Sequence, residues 1–311
     1  MQSKTRKKGK ILRRDVELIC MASLSLVFLL IFAYLPMAGI ALAFKDGNKA
    51  TNVVRALFLT DWTLENFAML FQDEVFWQVF QNTVAVNLLL LLFNFPMPIL
   101  FALLLNEVRN KRVKSVVQTV SNFPHFISWV VFGGIVLMLT DAELGIVNPI
   151  LEFLGLSSAE QPIDLNLPQY FYPKIIIASV IKGVGWGSIV YVAAIAGIDQ
   201  SMYEAALMDG ANRFQKAVHI TLPEIRSTIL VFLLMNIARL LGNSFEQFYV
   251  FQTTANLSTT RVLATYSYTL GFTYRNYSTA TALSLFEGVV SLILLVGTNT
   301  IAKKATGEGI Y

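Results

Sequence analysis

Charged residues and cysteine are both scarce in this sequence. Charged residues make up 14% of the 311 positions, whereas a soluble domain typically has about 25%. Cys20 is the single cysteine, which excludes an internal disulfide and any metal site built from several cysteines. Hydrophobic residues make up 55% of the chain, and the mean hydropathy is +0.59. Composition therefore indicates a membrane protein.

The sequence also lacks signatures of catalysis. It has no G-x-x-x-x-G-K-[ST] segment, so this chain does not itself cradle ATP phosphates. It has no H-E-x-x-H or G-x-S-x-G pattern either. The glycine cluster at 183–187 lies in a hydrophobic stretch and is not a dinucleotide-binding fingerprint. A membrane enzyme is therefore disfavoured, and we expect no catalytic residue, metal or cofactor in this chain.

Long apolar runs divide the chain into six predicted membrane-spanning helices, each long enough to cross a bilayer. The predicted spans are 18–44, 75–106, 115–140, 174–198, 227–250 and 280–301. Pro96 and Pro98 predict a kink in the second span, and Lys182 with its neighbouring glycines is predicted to interrupt the fourth. The fold class predicted from this pattern is an all-α integral membrane protein without a separate soluble domain.

The charges between the spans predict how the chain is oriented. Residues 1–18 and the loop at 109–114 are basic, and short cytoplasmic loops carry an excess of Lys and Arg. The loop at 141–173 carries five acidic residues and no basic one, which favours an extracytoplasmic position. Both termini are therefore predicted to be cytoplasmic. The net charge of +4 is accordingly interpreted as a determinant of topology and not as nucleic-acid binding.

A charged, amphipathic insert at 199–224 separates the fourth and fifth predicted spans. Residues 201–204 match the S-x-x-E pattern of a helix start, and Gly210 suits the C-terminal cap of that helix. A second capping pattern follows at 212–215, and Pro223 predicts the end of the second helix. The insert is therefore predicted to be two short helices joined by a tight turn.

The insert resembles the EAA loop of the permease subunits of binding-protein-dependent ABC importers. The matching residues, which the resemblance assigns to coupling with an ATPase, are Glu204, Ala205, Ala206, Asp209, Gly210, Ala211, Ile220, Leu222 and Pro223. Other stretches resemble the oligosaccharide and polysaccharide branch of these permeases: 99–107, 124–131, 181–191, 245–249, 265–266 and 280–304. The resemblance covers nearly the whole chain. It implies the type I ABC importer permease fold, with 1–18 as a basic cytoplasmic N-terminus and 19–311 as a six-helix transmembrane domain.

The resemblance also implies an assembly in the cytoplasmic (inner) membrane. Its other members would be a second homologous permease, two ATPase subunits that bind ATP and Mg²⁺, and an extracytoplasmic sugar-binding protein that delivers an oligosaccharide. The first helix of the insert would dock into a cleft on an ATPase subunit. The alternative is a permease of the same architecture for another solute, such as a peptide or an amino acid. An ion-coupled secondary transporter, which would need no ATPase, is disfavoured by the insert.

Polar residues inside the predicted spans are candidates for contact with the substrate. A charged residue at the centre of a span costs about 2.5–3.5 kcal/mol on insertion scales, so it must face a polar interior or a partner. Arg239 and Glu246 are predicted to share one helical face, as an internal ion pair or as part of a wet lining. Aromatic rings, amides and charges together suit sugars. The predicted substrate-pathway residues are Lys182, Trp186, Tyr191, Asn236, Arg239, Asn243, Glu246 and Gln247.

Several other polar residues in the spans are predicted to serve packing in preference to ligand contact. The second span contains Asn82, Asn87 and Asn94, and buried amides normally find partners on neighbouring helices. His125 in the third span is assigned to the helix kink or to packing and not to a proton relay, because the other histidine, His219, lies in the insert. Glu287 in the sixth span fits either role.

Overall fold

The computed structural model describes residues 13–46, 53–158, 161–242 and 245–306. Helices supply the regular structure of these ranges. Within them no strand forms, and the β-type pairings are two isolated bridges, Lys45–Trp62 and Ser158–Gln161. The predicted all-α class is therefore confirmed. Asn243 and residues 1–12 lie outside the described ranges.

The α-helices alternate between membrane-length segments and short connectors. Those before the insert are α1 (Arg13–Leu29), α2 (Leu35–Met37), α3 (Val53–Leu59), α4 (Glu65–Gln72), α5 (Glu74–Asn94), α6 (Pro96–Glu107), α7 (Lys111–Phe126), α8 (Trp129–Leu139), α9 (Val147–Phe153) and α10 (Phe171–Ala196). Those of the insert and beyond are α11 (Gln200–Met208), α12 (Arg213–Lys216), α13 (Leu222–Glu224), α14 (Arg226–Ala238), α15 (Phe245–Tyr249), α16 (Leu257–Thr260), α17 (Leu263–Tyr268) and α18 (Tyr277–Thr306). The π-helical turns are Leu30–Tyr34, Ala217–Thr221 and Thr269–Thr273, and the 3₁₀ turns are Ala38–Phe44 and Pro168–Tyr170.

Four helical segments in the described ranges are long and apolar enough to cross a membrane. They are Val16–Phe44, Glu74–Glu107, Pro168–Ala196 and Tyr277–Lys304. The number becomes six if each of two bent helix pairs is one span. The first pair is α7 with α8, bent by 101°, and the second is Arg213–Glu224 with α14, bent by 66°.

The first, second, fourth and sixth predicted spans correspond to these four continuous segments. The helix of the second span is interrupted at Phe95, where Pro96 has no N–H to donate and so weakens the hydrogen-bond ladder. The predicted interruption of the fourth span is wrong, because α10 runs without a break through Lys182 and its glycines. The helix is preserved there because a neighbouring helix packs directly against its glycine backbone.

The third and fifth predicted spans are not the continuous helices that hydropathy indicated. After Pro124, α7 ends at Phe126, and the next two residues, Ile127 and Ser128, are extended. Ser128 then caps α8 by accepting a hydrogen bond from the Val131 N–H at 3.3 Å. The fifth predicted span ends early, since α14 stops at Ala238 and the short α15 is a separate helix. Apolar composition continues across both breaks, so hydropathy does not register them.

Three apolar clusters hold the bundle together. The first joins α4 and α5 to α17 and α18, around Phe76 and Leu283. Helix α4 therefore packs against the bundle through Leu70. The second joins α5, α8, α10 and α15, around Phe171 and Phe248. The third joins α6 and α10 to the insert. The insert therefore lies directly beneath these two helices.

The contact between α7 and α10 depends on Gly185. A methyl group on Gly185 would overlap the Ser121 carbonyl group and lie 2.7 Å from the Asn122 nitrogen. Backbone atoms cannot move aside as the end of a flexible side chain can. We therefore expect Gly185→Ala to lower the thermal midpoint of the purified protein in detergent, because overpacking typically costs about 1–3 kcal/mol.

Gly183→Ala is the matched control for this prediction. It lies in the same helix, and no heavy atom lies within 4 Å of the added methyl group. Replacing a helical glycine by alanine there should be neutral or stabilising by up to about 1 kcal/mol. Equal midpoints for the two variants would show that the α7–α10 contact does not require glycine.

Candidate functional site

The first helix of the insert is preceded by Asp199, which lies two residues before the predicted cap. Its side chain accepts a hydrogen bond from the Ser201 backbone N–H at 2.9 Å and so caps α11. Hydrogen bonds from the backbone and the side chain of Ser201 hold the pKa of Asp199 below its ordinary value. The predicted cap at 201–204 is therefore wrong: Ser201 lies in the first turn, and Glu204 is an exposed side chain of α11.

The turn between the two arms of the insert is the predicted glycine cap. Gly210 has φ of +77°, a conformation that L-residues with a Cβ atom rarely adopt. The Gly210 N–H donates to the Leu207 carbonyl at 3.1 Å, and the Ala211 N–H donates to the Ala206 carbonyl at 2.9 Å. These two bonds form the Schellman pattern that ends a helix.

The second arm starts with the predicted capping box. The Gln215 N–H donates to Asn212 Oδ1 at 2.9 Å, and the Asn212 N–H donates to Gln215 Oε1 at 2.8 Å. The helical segment then continues to Glu224, with Pro223 in its last turn, before the chain bends by 66° into α14. The predicted pair of short helices joined by a tight turn is thus confirmed.

The inner side of the insert is attached to the bundle. The Tyr203 hydroxyl and the Thr221 hydroxyl are 2.9 Å apart and form a hydrogen bond between the two arms. Ile220 and Leu222 pack against the third apolar cluster, whose buried members are Ile99, Ala102, Tyr191, Ile195, Ile198 and Ile225. The second arm is therefore fixed to α6 and α10 by apolar contact.

The outer side of the insert is an exposed surface of mixed character. Glu204, Ala205, Asp209, Gly210 and Pro223 are exposed, whereas Ala206, Ala211, Ile220 and Leu222 are half-buried. Sequence analysis missed three large apolar side chains here: Leu207 is 63% exposed, Met208 88% and Phe214 76%. Apolar side chains this exposed on a polar insert typically mark a contact surface.

Two adjoining cavities lie in the bundle above the third cluster. The first has a volume of about 230 Å³ and is lined by α5, α6, α10 and α14. The second has a volume of about 220 Å³ and extends to the turn after α14 and to α15. Asn94, Phe95 and Asn236 line both. Together they form one polar chamber, which we call the membrane cavity.

The membrane cavity and the insert carry no feature of a metal enzyme. Among the described residues no group of three or more His, Cys, Asp or Glu side chains could hold a metal ion. What the site offers is a polar chamber inside an apolar bundle and an exposed insert fixed beneath it.

Comparison with known proteins identifies the kind of molecule that has this arrangement. Residues 94–304 match the family described as binding-protein-dependent transport system inner membrane component. The chain belongs to this family. It is therefore a permease of the ABC importer type and an integral membrane protein, and it is called the permease below.

Two relatives from Bacillus subtilis (strain 168) are similar over most of their length. Protein LplB is 40% identical over 301 residues, which cover 96% of this chain and 92% of the relative. The second relative is the polygalacturonan/rhamnogalacturonan transport system permease protein YteP. It is 37% identical over 286 residues, which cover 92% of this chain and 87% of the relative. This chain also superposes on a chain of the bacterial alginate ABC transporter, which was solved in complex with an alginate pentasaccharide-bound periplasmic protein. The TM-score is 0.85 at 35% identity, and the match covers 98% of this chain and 100% of the transporter chain. The type I ABC permease fold is thus confirmed.

Five of the eight predicted substrate-pathway residues line the membrane cavity of the permease. Trp186, Tyr191 and Asn236 line its first part, and Asn236, Arg239 and Gln247 line its second part. Gln247 donates a hydrogen bond to the Ser179 hydroxyl at 2.8 Å. The cavity thereby combines aromatic rings, amides and one guanidinium group.

Of the remaining predicted residues, Lys182 and Glu246 are not part of this lining. Arg239 and Glu246 do not share a helical face, because α14 ends before Arg239 and Glu246 belongs to α15. No ion pair joins them in the described ranges, so the internal-pair alternative is also wrong. Lys182 is 7% exposed, and its ammonium group donates to backbone carbonyls of α7 and the residue after it. Asn243 lies outside the described residues.

Sequence analysis assigned two cavity residues to packing. Asn82 does serve packing, since its amide donates to the Ser258 carbonyl at 2.7 Å. Asn87 and Asn94, however, line the membrane cavity. In the described part of the chain, Asn87 Nδ2 and Asn94 Oδ1 are buried without a hydrogen-bond partner. Their spacing of seven residues, two helical turns, was the signal that both lie on one face.

The turn of the insert generates a prediction about its local stability. Gly210→Ala places an L-residue at positive φ, which costs about 1–2 kcal/mol. Hydrogen exchange of the Ala211 amide, which is bonded to Ala206, should therefore become roughly tenfold faster, since 1.4 kcal/mol corresponds to a factor of ten. Gly197→Ala is the matched control, because Gly197 has φ of −84° and tolerates a methyl group. Unchanged exchange in Gly210→Ala would contradict the role of this turn.

Proposed function

We propose that the permease is the membrane-spanning subunit of an ATP-driven importer of oligosaccharides, and that its insert couples separate ATPase subunits to the membrane cavity. The observation that carries this proposal is the third apolar cluster. Tyr191 lines the cavity and packs in the same cluster as Ile220 and Leu222 of the insert. Movement of the insert therefore acts directly on the cavity wall.

The exposed surface of the insert is the proposed contact with the ATPase. Small Ala205 allows close approach, and Met208 offers apolar area for burial. Glu204 and Asp209 can form charge-assisted hydrogen bonds, which are stronger than neutral ones. The first arm would dock into a cleft on the ATPase subunit, while the second arm stays attached to the bundle.

We place six spans across the cytoplasmic (inner) membrane, with α7 and α8 together as the third and with the fifth beginning at α14, after the insert. Both termini, the basic N-terminus at 1–18 and the insert at 199–224 would be cytoplasmic, within a transmembrane domain at 19–311. The basic loop at 109–114 and the acidic segment after α8 support this orientation.

The proposed assembly contains a second homologous permease, two ATPase subunits and an extracytoplasmic sugar-binding protein. None of the most apolar window of the first span is buried within this chain, which supports a neighbour outside it, either the second permease or lipid. The alginate transporter chain, which has the same fold, was solved with a periplasmic protein. ATP and Mg²⁺ would be held by the ATPase subunits.

Transport would proceed by alternating access. ATP binding closes the two ATPase subunits and moves the attached insert, and the cavity then opens outward to receive sugar from the binding protein. Nucleotide can drive this change only by the difference in its affinity for the two states. The helices move as nearly rigid bodies, because packed cores switch between discrete arrangements and do not deform continuously.

The cavity lining further favours an oligosaccharide that carries carboxylates. Arg239 lines the cavity, and no carboxylate lies within ion-pair distance of it in the described ranges. A guanidinium group binds a carboxylate with two parallel hydrogen bonds, and a charge at membrane depth needs a partner. Polygalacturonan, named for YteP, and the acidic polysaccharide alginate are both polymers of sugar acids. We propose a uronate-containing oligosaccharide as the substrate.

Charge reversal on the insert tests the coupling proposal. In proteoliposomes containing the whole importer, Glu204→Lys should lower oligosaccharide uptake at least tenfold, because a charge-assisted contact is worth about 1.5–3 kcal/mol. In the same variant, the sugar-bound binding protein should no longer stimulate ATP hydrolysis. Glu224→Lys, an exposed charge reversal at the far end of the insert, should retain both. Normal uptake by Glu204→Lys would refute the coupling role.

Substitution of Arg239 tests the nature of the substrate. Arg239→Gln should lower the apparent affinity for a uronate oligosaccharide by roughly tenfold to a hundredfold, since a hydrogen bond to a charged group contributes about 1.5–3 kcal/mol. Uptake of a neutral oligosaccharide of equal length should not decrease. Arg275→Gln, which removes an exposed guanidinium group away from the cavity, is the control. If Arg239→Gln lowers the apparent affinity for acidic and neutral oligosaccharides equally, carboxylate recognition is contradicted. An unchanged affinity for the uronate oligosaccharide would contradict it too.

A further inference from the structure

The break between α7 and α8 leaves three backbone carbonyl groups directed at one side chain. The Lys182 ammonium group of α10 donates to the Pro124 oxygen at 2.9 Å, to the His125 oxygen at 3.1 Å and to the Ile127 oxygen. An ammonium group has three N–H donors, so all of them are used. Lys182 therefore has no donor left for a substrate.

The surroundings of this ammonium group are those of a cation site. The last carbonyls of a helix have no partner within the helix, and they form the negative end of its dipole. The aromatic rings of Trp129 and Phe132 lie 5.4 and 5.5 Å from the Lys182 nitrogen, at distances typical of cation–π contact. In transporters that use ions, carbonyls of broken helices coordinate the transported or coupling cation. Here the cation is covalently attached to a neighbouring helix.

The same contact fixes the aromatic wall of the membrane cavity. The ring of His125, whose carbonyl is bonded to Lys182, stacks on the indole of Trp186 with ring centroids 4.5 Å apart and planes within 1° of parallel. Trp186 is 47% exposed and lines the cavity. His125 covers one face of the indole, so the position of the α7–α8 break determines how the other face is presented.

We propose that Lys182 is a positioning residue, a tethered cation that fills a carbonyl site at the break of the third span and thereby holds the His125–Trp186 pair in place for sugar binding. The part of this inference that concerns sugar rests on the proposed function. The part that concerns the carbonyl site does not, because it follows from the hydrogen bonds at the break.

Chemical rescue is the experiment that tests this role. Lys182→Ala leaves an opening lined by three carbonyl oxygens, and methylammonium supplies the missing donors. In the reconstituted importer, Lys182→Ala should raise the oligosaccharide concentration for half-maximal uptake by about tenfold, with the maximal rate within about twofold of the original protein. Millimolar methylammonium should return the oligosaccharide concentration for half-maximal uptake to that of the original protein. Tetramethylammonium, which has no N–H donor, should have no such effect.

Hydrogen exchange gives a second readout that needs no sugar. Amides at 127–132 should exchange faster in Lys182→Ala and should be protected again by methylammonium. Lys174→Ala is the matched control: Lys174 is also a buried lysine of α10, but it donates to Asn166 Oδ1 at 2.8 Å, away from the break. Any uptake defect of Lys174→Ala should not respond to methylammonium.

The possible outcomes separate the two proposals. If the original importer takes up no oligosaccharide, the proposed function fails, and rescued exchange at 127–132 still supports the carbonyl site. The positioning role is overturned if Lys182→Ala changes neither the hydrogen exchange of amides 127–132 nor the oligosaccharide concentration for half-maximal uptake. It is also overturned if methylammonium rescues both lysine variants equally. Should Lys182→Ala not assemble, Lys182→Met keeps the side-chain length. Lys182→Met must then raise the oligosaccharide concentration for half-maximal uptake, and methylammonium must not restore it. An unchanged concentration would overturn the proposal.

Discussion

The apolar contact between α10 and the second arm of the insert is the constraint on which the permease depends. Ile220 and Leu222 pack against Ile195 and Tyr191, and the hydrogen bond between Tyr203 and Thr221 keeps the first arm aligned with the second. Apolar packing suits this task because it is close to crystal density and transmits displacement with little loss. In the proposed coupling, a flexible or polar linkage at the same place would absorb the movement of the ATPase subunits before it reached the cavity.

Some polar groups within the membrane region pair with backbone groups of neighbouring segments, and others line the cavity. Backbone groups exposed by a helix break cannot be left unpaired in a lipid environment. The permease satisfies them from within, as Lys182 does for the carbonyls of Pro124 and His125. Asn82 is used to bind a neighbouring segment. The amides of Asn87 and Asn94 that remain unpaired in the described chain face the membrane cavity, where a hydroxyl-rich solute or water can reach them.

Much of the fold could be predicted from the sequence because its signals are local. Apolar runs of span length marked the four continuous segments, and the glycine and asparagine caps marked the turn of the insert at Gly210. The breaks in the third and fifth spans could not be predicted, since apolar composition continues across both of them. The same limit explains the candidate site. Residue type was enough to select Trp186 and Asn236, which line the cavity. The role of Lys182 was not visible locally, because the carbonyls that bind it belong to residues more than 50 positions away.

The exposure of the central part of the first span has a consequence for how the permease is made. The three apolar clusters contain no residue before Leu70, and the central window of the first span is not covered by the rest of the chain. A single apolar helix satisfies its own backbone and is stable in lipid without neighbours. The first span can therefore be stable in the bilayer before the later segments are made. The later segments, which carry lysine, arginine and asparagine into the membrane, can assemble around one another once their partners have been synthesised.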